Sequence, residues 1–219
     1  MKKIAVILNG CGHRDGSEVH EAVLALLGIE EAGGHWECLA PDRDQAAVTD
    51  HLTGRDIDGA RRNMLHESAR IARGRIKDLA TARVADYGAV ILPGGSGTAR
   101  NLCNFASAGS GMSVDAAVER FVNDAHAAGL PIGAVCVAPV ILARLFGAKG
   151  VELTLGSIDN DAARAAKKWG AKIVACEASG CVVDERLKVV TTPAYMCDAG
   201  VAEVAQGIRK LTNKIVSWA

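Results

Sequence analysis

A chain of 219 residues is long enough for one layered α/β domain and short for two. Hydrophobic residues make up 49% and aromatic ones only 4%, so Val, Ile, Leu and Ala must fill the core, which suits close packing of helices on a sheet. Twenty-five basic residues balance 25 acidic ones, which removes any electrostatic ground for a nucleic-acid or membrane-surface partner. Ile4 to Leu8 is a continuous apolar run, expected for a strand covered on both faces and too short for a signal sequence or membrane span. Asn9-Gly10-Cys11-Gly12 breaks it, and Asp15-Gly16-Ser17 supplies cap chemistry for a helix from about Glu18 to Ala32. Gly33-Gly34 ends that helix, and Trp36 to Ala40 is the next strand. From Asp42 to Asp86 the pattern weakens into an elaboration, with a turn at His51 to Gly54, a short helix at Asn63 to Ile71 and an extended or irregular stretch from Gly74 to Leu79.

The remainder is regular. Gly88 to Leu92 is a strand running into Pro93-Gly94-Gly95-Ser96-Gly97, and Val114 to Ala128 is an amphipathic helix. Ile132 to Val135 is a strand leading to Cys136 and a helix through Phe146. Further strands are expected at Glu152 to Leu155, Lys172 to Ala175, Val182-Val183 and Lys188 to Thr191, with helices at Asn160 to Trp169 and Val201 to Val216. This alternation predicts a single domain with a doubly wound, mostly parallel sheet and helices on both faces. The seven cysteines lack a disulfide spacing and are odd in number, so a reducing, cytoplasmic setting is expected.

Three features carry chemistry. Ala134-Val135-Cys136-Val137-Ala138 sets small residues two before and two after a cysteine, as a tight strand-to-helix elbow requires, and Pro139 permits a helix start. A cysteine there meets a helix N-terminus, where the dipole and free N–H groups favour a thiolate. The Gly94-Gly95 turn follows a strand at its carboxyl end and can aim N–H groups at a substrate. With the N–H of Val137 it forms a candidate oxyanion hole. Glu18, at the start of the first helix, is expected to face Cys136 and exchange a proton with it, while His20 is expected to point about 200° away around the helix. The loop from Gly10 to Asp15 matches a dinucleotide fingerprint only in part. Asp15 replaces the third glycine and its charge would oppose a pyrophosphate, so the loop reads as a site wall, with Gly12 a substrate-binding candidate. No metal site is assigned, because the Cys176/Cys181 and Cys11/His13 pairs lack a partner pair.

Taken together these stretches resemble the PfpI/ThiJ-type branch of the class I glutamine amidotransferase-like superfamily, and within it the ElbB group of enhancing lycopene biosynthesis proteins. The resemblance runs through Ile7 to Gly12, Asp15 to Ala22, Leu92 to Gly97, Asn101 to Ala106, Cys136 to Pro139 and Val190 to Met196. It implies a flavodoxin-like sandwich, with Cys136 on the elbow, Glu18 beside it, and Gly95 and Val137 as backbone donors. It also implies a glyoxalase that turns glyoxal into glycolate without a cofactor, and a homodimer. One departure matters: the triad histidine expected about a strand's length after the cysteine is absent, and no histidine follows His126. Amidotransferase and peptidase chemistry are therefore not expected. The alternatives are a redox or carbonyl-stress sensor acting through oxidation of Cys136, and a non-catalytic accessory protein in isoprenoid biosynthesis.

Overall fold

The computed structural model describes residues 2–219. The chain opens with β1 (Lys3–Ile7), α1 (Val19–Glu31) and β2 (Trp36–Ala40), then α2 (Met64–Ile71), β3 (Ile76–Asp78) and β4 (Tyr87–Leu92). It continues through α3 (Phe105–Ala108), α4 (Ala116–Ala127), β5 (Ile132–Val135) and α5 (Pro139–Phe146). The last third holds β6 (Glu152–Leu153), α6 (Asp161–Lys168), β7 (Lys172–Ile173), β8 (Val182–Asp184), β9 (Val189–Thr192) and α7 (Val201–Trp218). Seven strands form one sheet in the order β3-β2-β1-β4-β5-β9-β8, parallel except for β8, which runs antiparallel to β9. This is the doubly wound, mostly parallel sheet expected from the alternation of elements, in the flavodoxin-like form that the resemblance implies.

The apolar run of β1 explains the two-sided covering. Ala5 and Ile7 face one hydrophobic cluster, with α4 and α5, while Ile4, Val6 and Leu8 face the other, with α1 and α7. Local cap chemistry sets the helix starts. Asn63, Asp115 and Asn160 accept N–H groups at the starts of α2, α4 and α6, and Pro139 opens α5.

One expectation is resolved and another corrected. The stretch from Gly74 to Leu79, read as extended or irregular, contains β3, which pairs in parallel with β2 and extends the sheet. Conversely, the strands expected at Glu152 and Lys172 stay out of the main sheet and pair only with each other. Side chains stand in for the missing ladder: Asp184 accepts the Glu152 N–H at 3.0 Å, and the Thr191 hydroxyl accepts that of Thr154 at 2.9 Å. Among the described residues no helix is long and apolar enough to cross a membrane.

Because β1, β4, β5 and β9 run in parallel, their carboxyl ends share one edge. A buried polar network ties the loops there. The Asn9 amide donates to Thr98 Oγ1 at 2.9 Å, its N–H to Ser17 Oγ at 2.9 Å, and the Asn101 amide to the Asn9 carbonyl at 3.0 Å. The elaboration packs on the loop after β1 through Asp15, which is buried, accepts the Thr49 N–H at 2.8 Å and faces Arg62 and His51.

Candidate functional site

Cys136 stands at the end of β5 with φ of 62°, a conformation that costs a non-glycine residue energy and persists only where its surroundings impose it. They do so here. Its N–H is held by the Thr192 carbonyl at 2.9 Å, the Ala138 N–H closes on the Val135 carbonyl at 3.0 Å, and Ala134 and Ala138 are fully buried on either side. The elbow expected from the small flanking residues is therefore present, and it leaves Cys136 8% exposed.

The carboxyl that meets this thiol belongs to Glu21, and Glu18 occupies a different place from the one expected. Glu18 is the N-cap of α1. Its backbone is extended, its own N–H donates to the Gly94 carbonyl at 3.0 Å, and its carboxyl turns back to accept the Glu21 N–H at 2.7 Å. Glu21, one turn into the helix, is completely buried and accepts the Gly94 N–H on Oε2 at 2.9 Å, while Oε1 has no partner of hydrogen-bond geometry. Burial, and then the charge of Glu18, push the Glu21 carboxyl up to about 8. The Cys136 thiol and the N–H groups of Gly94 and Tyr195 offset only part of that rise.

The cysteine responds in the same direction. Burial first, and then the Glu21 carboxylate, raise the Cys136 thiol well above its ordinary value, against the opposing pull of the Gly95 and Val137 N–H groups on the sulfur. The expectation of a thiolate stabilised by the helix N-terminus is thus outweighed. The two groups form a coupled pair that shares one negative charge once a proton has left.

The glycine turn is placed where its spacing implied, with altered duties. A Cβ on Gly94 would lie 2.5 Å from Cys136 Cβ and 2.7 Å from Glu21 Oε2, so only glycine lets the turn pass. Its N–H is committed to Glu21 and is not free for a substrate oxygen. The N–H groups of Gly95 and Val137 act on the sulfur instead, favouring its charged form. Gly12 does not line the cavity. It makes the turn after β1 by donating to the Ser17 carbonyl and accepting from Gly16, at a φ of 143° that lets it pass against His51. Its neighbour His13 reaches the cavity in its place.

Cys136 and Glu18 open onto a cavity of about 630 Å³. Phe105, Ala106, Val137 and Met196 give it apolar walls, and His13, His20 and Arg100 stand among its polar groups. His20 was expected to point away from Glu18. It does not, because Glu18 precedes the helix and the angle between helical positions does not apply: His20 Nδ1 lies 3.9 Å from the Glu18 carboxyl and 2.9 Å from the Tyr195 hydroxyl. His126 lies at the other end of β5, stacked on Phe146.

Glu21, His13 and Tyr195 were not singled out from the sequence. For Glu21 a signal existed, since it falls in phase with the buried Ala22, Ala25 and Ile29 of α1. A carboxyl on the apolar face of a helix needs a local reason, and the sulfur and the Gly94 N–H supply it.

Comparison with known proteins gives the family and the fold. The DJ-1/PfpI family model matches residues 67–199. A human protein, the mitochondrial glutamine amidotransferase-like class 1 domain-containing protein 3, is 41% identical over 98% of this chain and 82% of its own length. The mitochondrial ES1 protein of Danio rerio is 30% identical over 96% of this chain and 86% of its own. Among solved structures, an isoprenoid biosynthesis protein with an amidotransferase-like domain from Ehrlichia chaffeensis superposes with a TM-score of 0.91. It is 33% identical and covers 99% of this chain and 100% of its own.

Proposed function

This chain belongs to the DJ-1/PfpI family, and from that premise and the site geometry we propose that it is a cofactor-independent glyoxalase converting glyoxal to glycolate, with Cys136 as nucleophile and Glu21 as the proton-transfer group. The observation that carries this reading is the juxtaposition of a strained cysteine with a fully buried carboxyl whose pKa is pushed up to about 8. A carboxyl poised near neutrality both gives and takes protons, which suits a reaction that moves one between adjacent carbons.

The reactive state is the pair after loss of one proton, with the charge on sulfur and Glu21 protonated. The sulfur attacks one aldehyde carbon of glyoxal. An S–C bond forms, the carbonyl electron pair moves to oxygen, and that oxygen takes the Glu21 proton. The Glu21 carboxylate then removes the hydrogen on the hemithioacetal carbon, leaving an enediolate, and returns that proton to the neighbouring carbon while the hemithioacetal hydroxyl proton passes to the neighbouring oxygen. The product is a thioester of glycolate, an isomer of the hemithioacetal. Water cleaves it, releasing glycolate and restoring the thiol. No electron acceptor is needed, since glyoxal and water together have the composition of glycolic acid.

Glycolate formation from glyoxal tests this directly in Cys136→Ala, Cys136→Ser, Glu21→Gln and Glu18→Gln proteins. Turnover is expected to vanish in the cysteine variants and to fall by roughly 10²–10⁴ in Glu21→Gln, with a smaller loss in Glu18→Gln. Undiminished turnover without Cys136 refutes the proposal, and a larger loss at Glu18 than at Glu21 returns the proton-transfer role to Glu18. The proposal includes a homodimer working in the cytoplasm, although the human and Danio rerio relatives are named as mitochondrial.

A second reading, a redox sensor acting through Cys136, is favoured by the same buried carboxyl, because a protonated Glu21 can donate to an oxygen of a sulfinate. Mass spectrometry after graded peroxide, with even oxidation across all exposed cysteines, would remove it. An accessory role in isoprenoid metabolism rests on the description of the Ehrlichia chaffeensis protein alone.

A further inference from the structure

Behind the wall of the cavity, three further cysteines converge from distant parts of the chain. Cys176 and Cys181 bracket the loop between β7 and β8, and Cys197 follows the turn Ala194–Met196 after β9. All three are free thiols of intermediate exposure, so a small oxidant can reach them. The Cys197 thiol points at the backbone of Cys176, donating to its carbonyl at 3.6 Å.

Two glycines make room for this meeting. Gly156, at φ of 81°, accepts the Cys176 N–H on its carbonyl at 3.1 Å, and a Cβ there would lie 3.3 Å from Cys197 Sγ. A Cβ on Gly180 would lie 2.7 Å from Cys176 Sγ. The Cys176 thiol now donates to the Glu177 carbonyl at 3.4 Å, a contact it must leave to meet Cys197. Partial burial first, and then the nearness of the other two thiols, raise the Cys176 pKa, so all three sulfurs share one neighbourhood.

We propose that Cys176 and Cys197 form a reversible dithiol–disulfide site, separate from Cys136, that reports oxidation by hydroperoxides to the cavity. The first step transfers one oxygen: a Cys176 or Cys197 thiol attacks the peroxide, giving a sulfenic acid and an alcohol (water, from hydrogen peroxide). The second thiol then displaces water from that sulfur and closes the disulfide. Two thiols lose two electrons to the peroxide, and a cellular dithiol or glutathione reverses the step.

The fold gives this link a route to the active site. Cys197 directly follows the segment whose Tyr195 and Met196 side chains line the cavity, and the Tyr195 backbone acts on the Glu21 carboxyl by favouring its charged form. Drawing Cys197 toward Cys176 pulls on that segment. The microenvironment of Glu21, and through it the reactivity of Cys136, changes when the disulfide closes.

Graded hydrogen peroxide followed by rapid alkylation and non-reducing peptide mapping tests the proposal in wild type, Cys136→Ser, Cys176→Ser and Cys197→Ser proteins, with Cys176→Ala and Cys197→Ala and thermal melts as folding controls. A peptide linking Cys176 to Cys197 is expected in wild type and in Cys136→Ser, reversed by dithiothreitol and absent from the Cys176 and Cys197 variants. In wild type the alkylation rate of Cys136 by iodoacetamide is expected to shift at least threefold on oxidation, and not to shift in the folded Cys176 or Cys197 variants. A Cys176–Cys181 linkage, over-oxidation without any linkage, or a linkage that leaves the Cys136 rate unchanged each overturns it. The linked peptide in Cys136→Ser is scored independently of glyoxal turnover, so failure here and failure of the glyoxalase reading are separately visible.

Discussion

Replacing Glu21 by Gln perturbs the candidate site at its most costly point while keeping its shape. The Gln oxygen can still accept the Gly94 N–H now received by Oε2 at 2.9 Å, and the new amide can face Cys136. The wild-type carboxyl is raised from 4.5 to about 8, so the folded state holds a proton that the unfolded chain releases. The stability tied to that proton is complete below pH 4.5 and is lost as pH climbs toward 8. At about 1.36 kcal/mol for each unit, the whole loss is of order 5 kcal/mol, and structural relaxation around a buried charge reduces it. Urea unfolding at pH 5, 6.5 and 8 measures this as the difference between the two proteins. Wild type is expected to lose at least about 2 kcal/mol more than Glu21→Gln between the extremes. Curves that stay parallel within about 0.5 kcal/mol would refute the claim that a buried, proton-retaining carboxyl stands beside the thiol. The same variant is expected to alkylate faster at Cys136 above pH 8, where the wild-type Glu21 carboxylate opposes the thiolate and the Gln amide does not.

Other consequences are local. Gly94→Ala places a methyl against Cys136 Cβ, Glu21 and the Val135 carbonyl, and thermal or urea unfolding is expected to show a loss of about 1–3 kcal/mol, with Cys136 alkylation altered in parallel. Asp184→Ala leaves the N–H groups of Glu152 and Leu187 without their acceptor, a loss of about 1–3 kcal/mol by urea titration, with hydrogen exchange quickened first in β6. Glu37 works in the opposite sense to Glu21. Burial pushes its carboxyl up, but hydrogen bonds from Tyr87, Lys3 and Lys77 prevail and hold it at about 2. Its contribution is therefore present above pH 4.5 and lost as pH falls from there toward 2, and an acid titration of Tyr87→Phe should show a shallower loss than wild type.

The parts of this molecule that were legible in the sequence are those where a local pattern and the global fold demand the same thing. The apolar run Ile4 to Leu8 had to be a strand covered on both faces, and Ala134 and Ala138 had to flank an elbow, because no larger side chain fits there. β3 could be read only as extended or irregular because Ile76–Asp78 has no pattern of its own: only one of its three residues is apolar, and pairing with β2 makes it a strand. The separation of β6 and β7 from the main sheet depends on Asp184 and Thr191, side chains remote in sequence that satisfy backbone N–H groups. Glu18 was singled out and Glu21 overlooked because the helix was started one residue early, which put the first acidic residue inside it. An N-cap turns its carboxyl onto its own helix, and the next carboxyl, one turn on, is the one that reaches across.

The site joins two unfavourable features, a cysteine at positive φ and a buried carboxyl without its full complement of hydrogen bonds, and the fold places both on one glycine turn. The Gly94 N–H anchors Glu21, the Gly94 carbonyl anchors the cap of α1, and the absence of a side chain at Gly94 admits Cys136. Relaxing either feature alone would leave the other in place: a carboxyl raised by burial would still be raised, and an elbow would still be strained. Their adjacency therefore has no explanation in stability, since apolar residues of similar size at both positions would pack without either cost. It is explained if a shared proton between sulfur and carboxyl is what the arrangement provides. On that argument a variant that stabilises the protein at Glu21 should disable it, and the gain and the loss should both grow as pH rises toward 8.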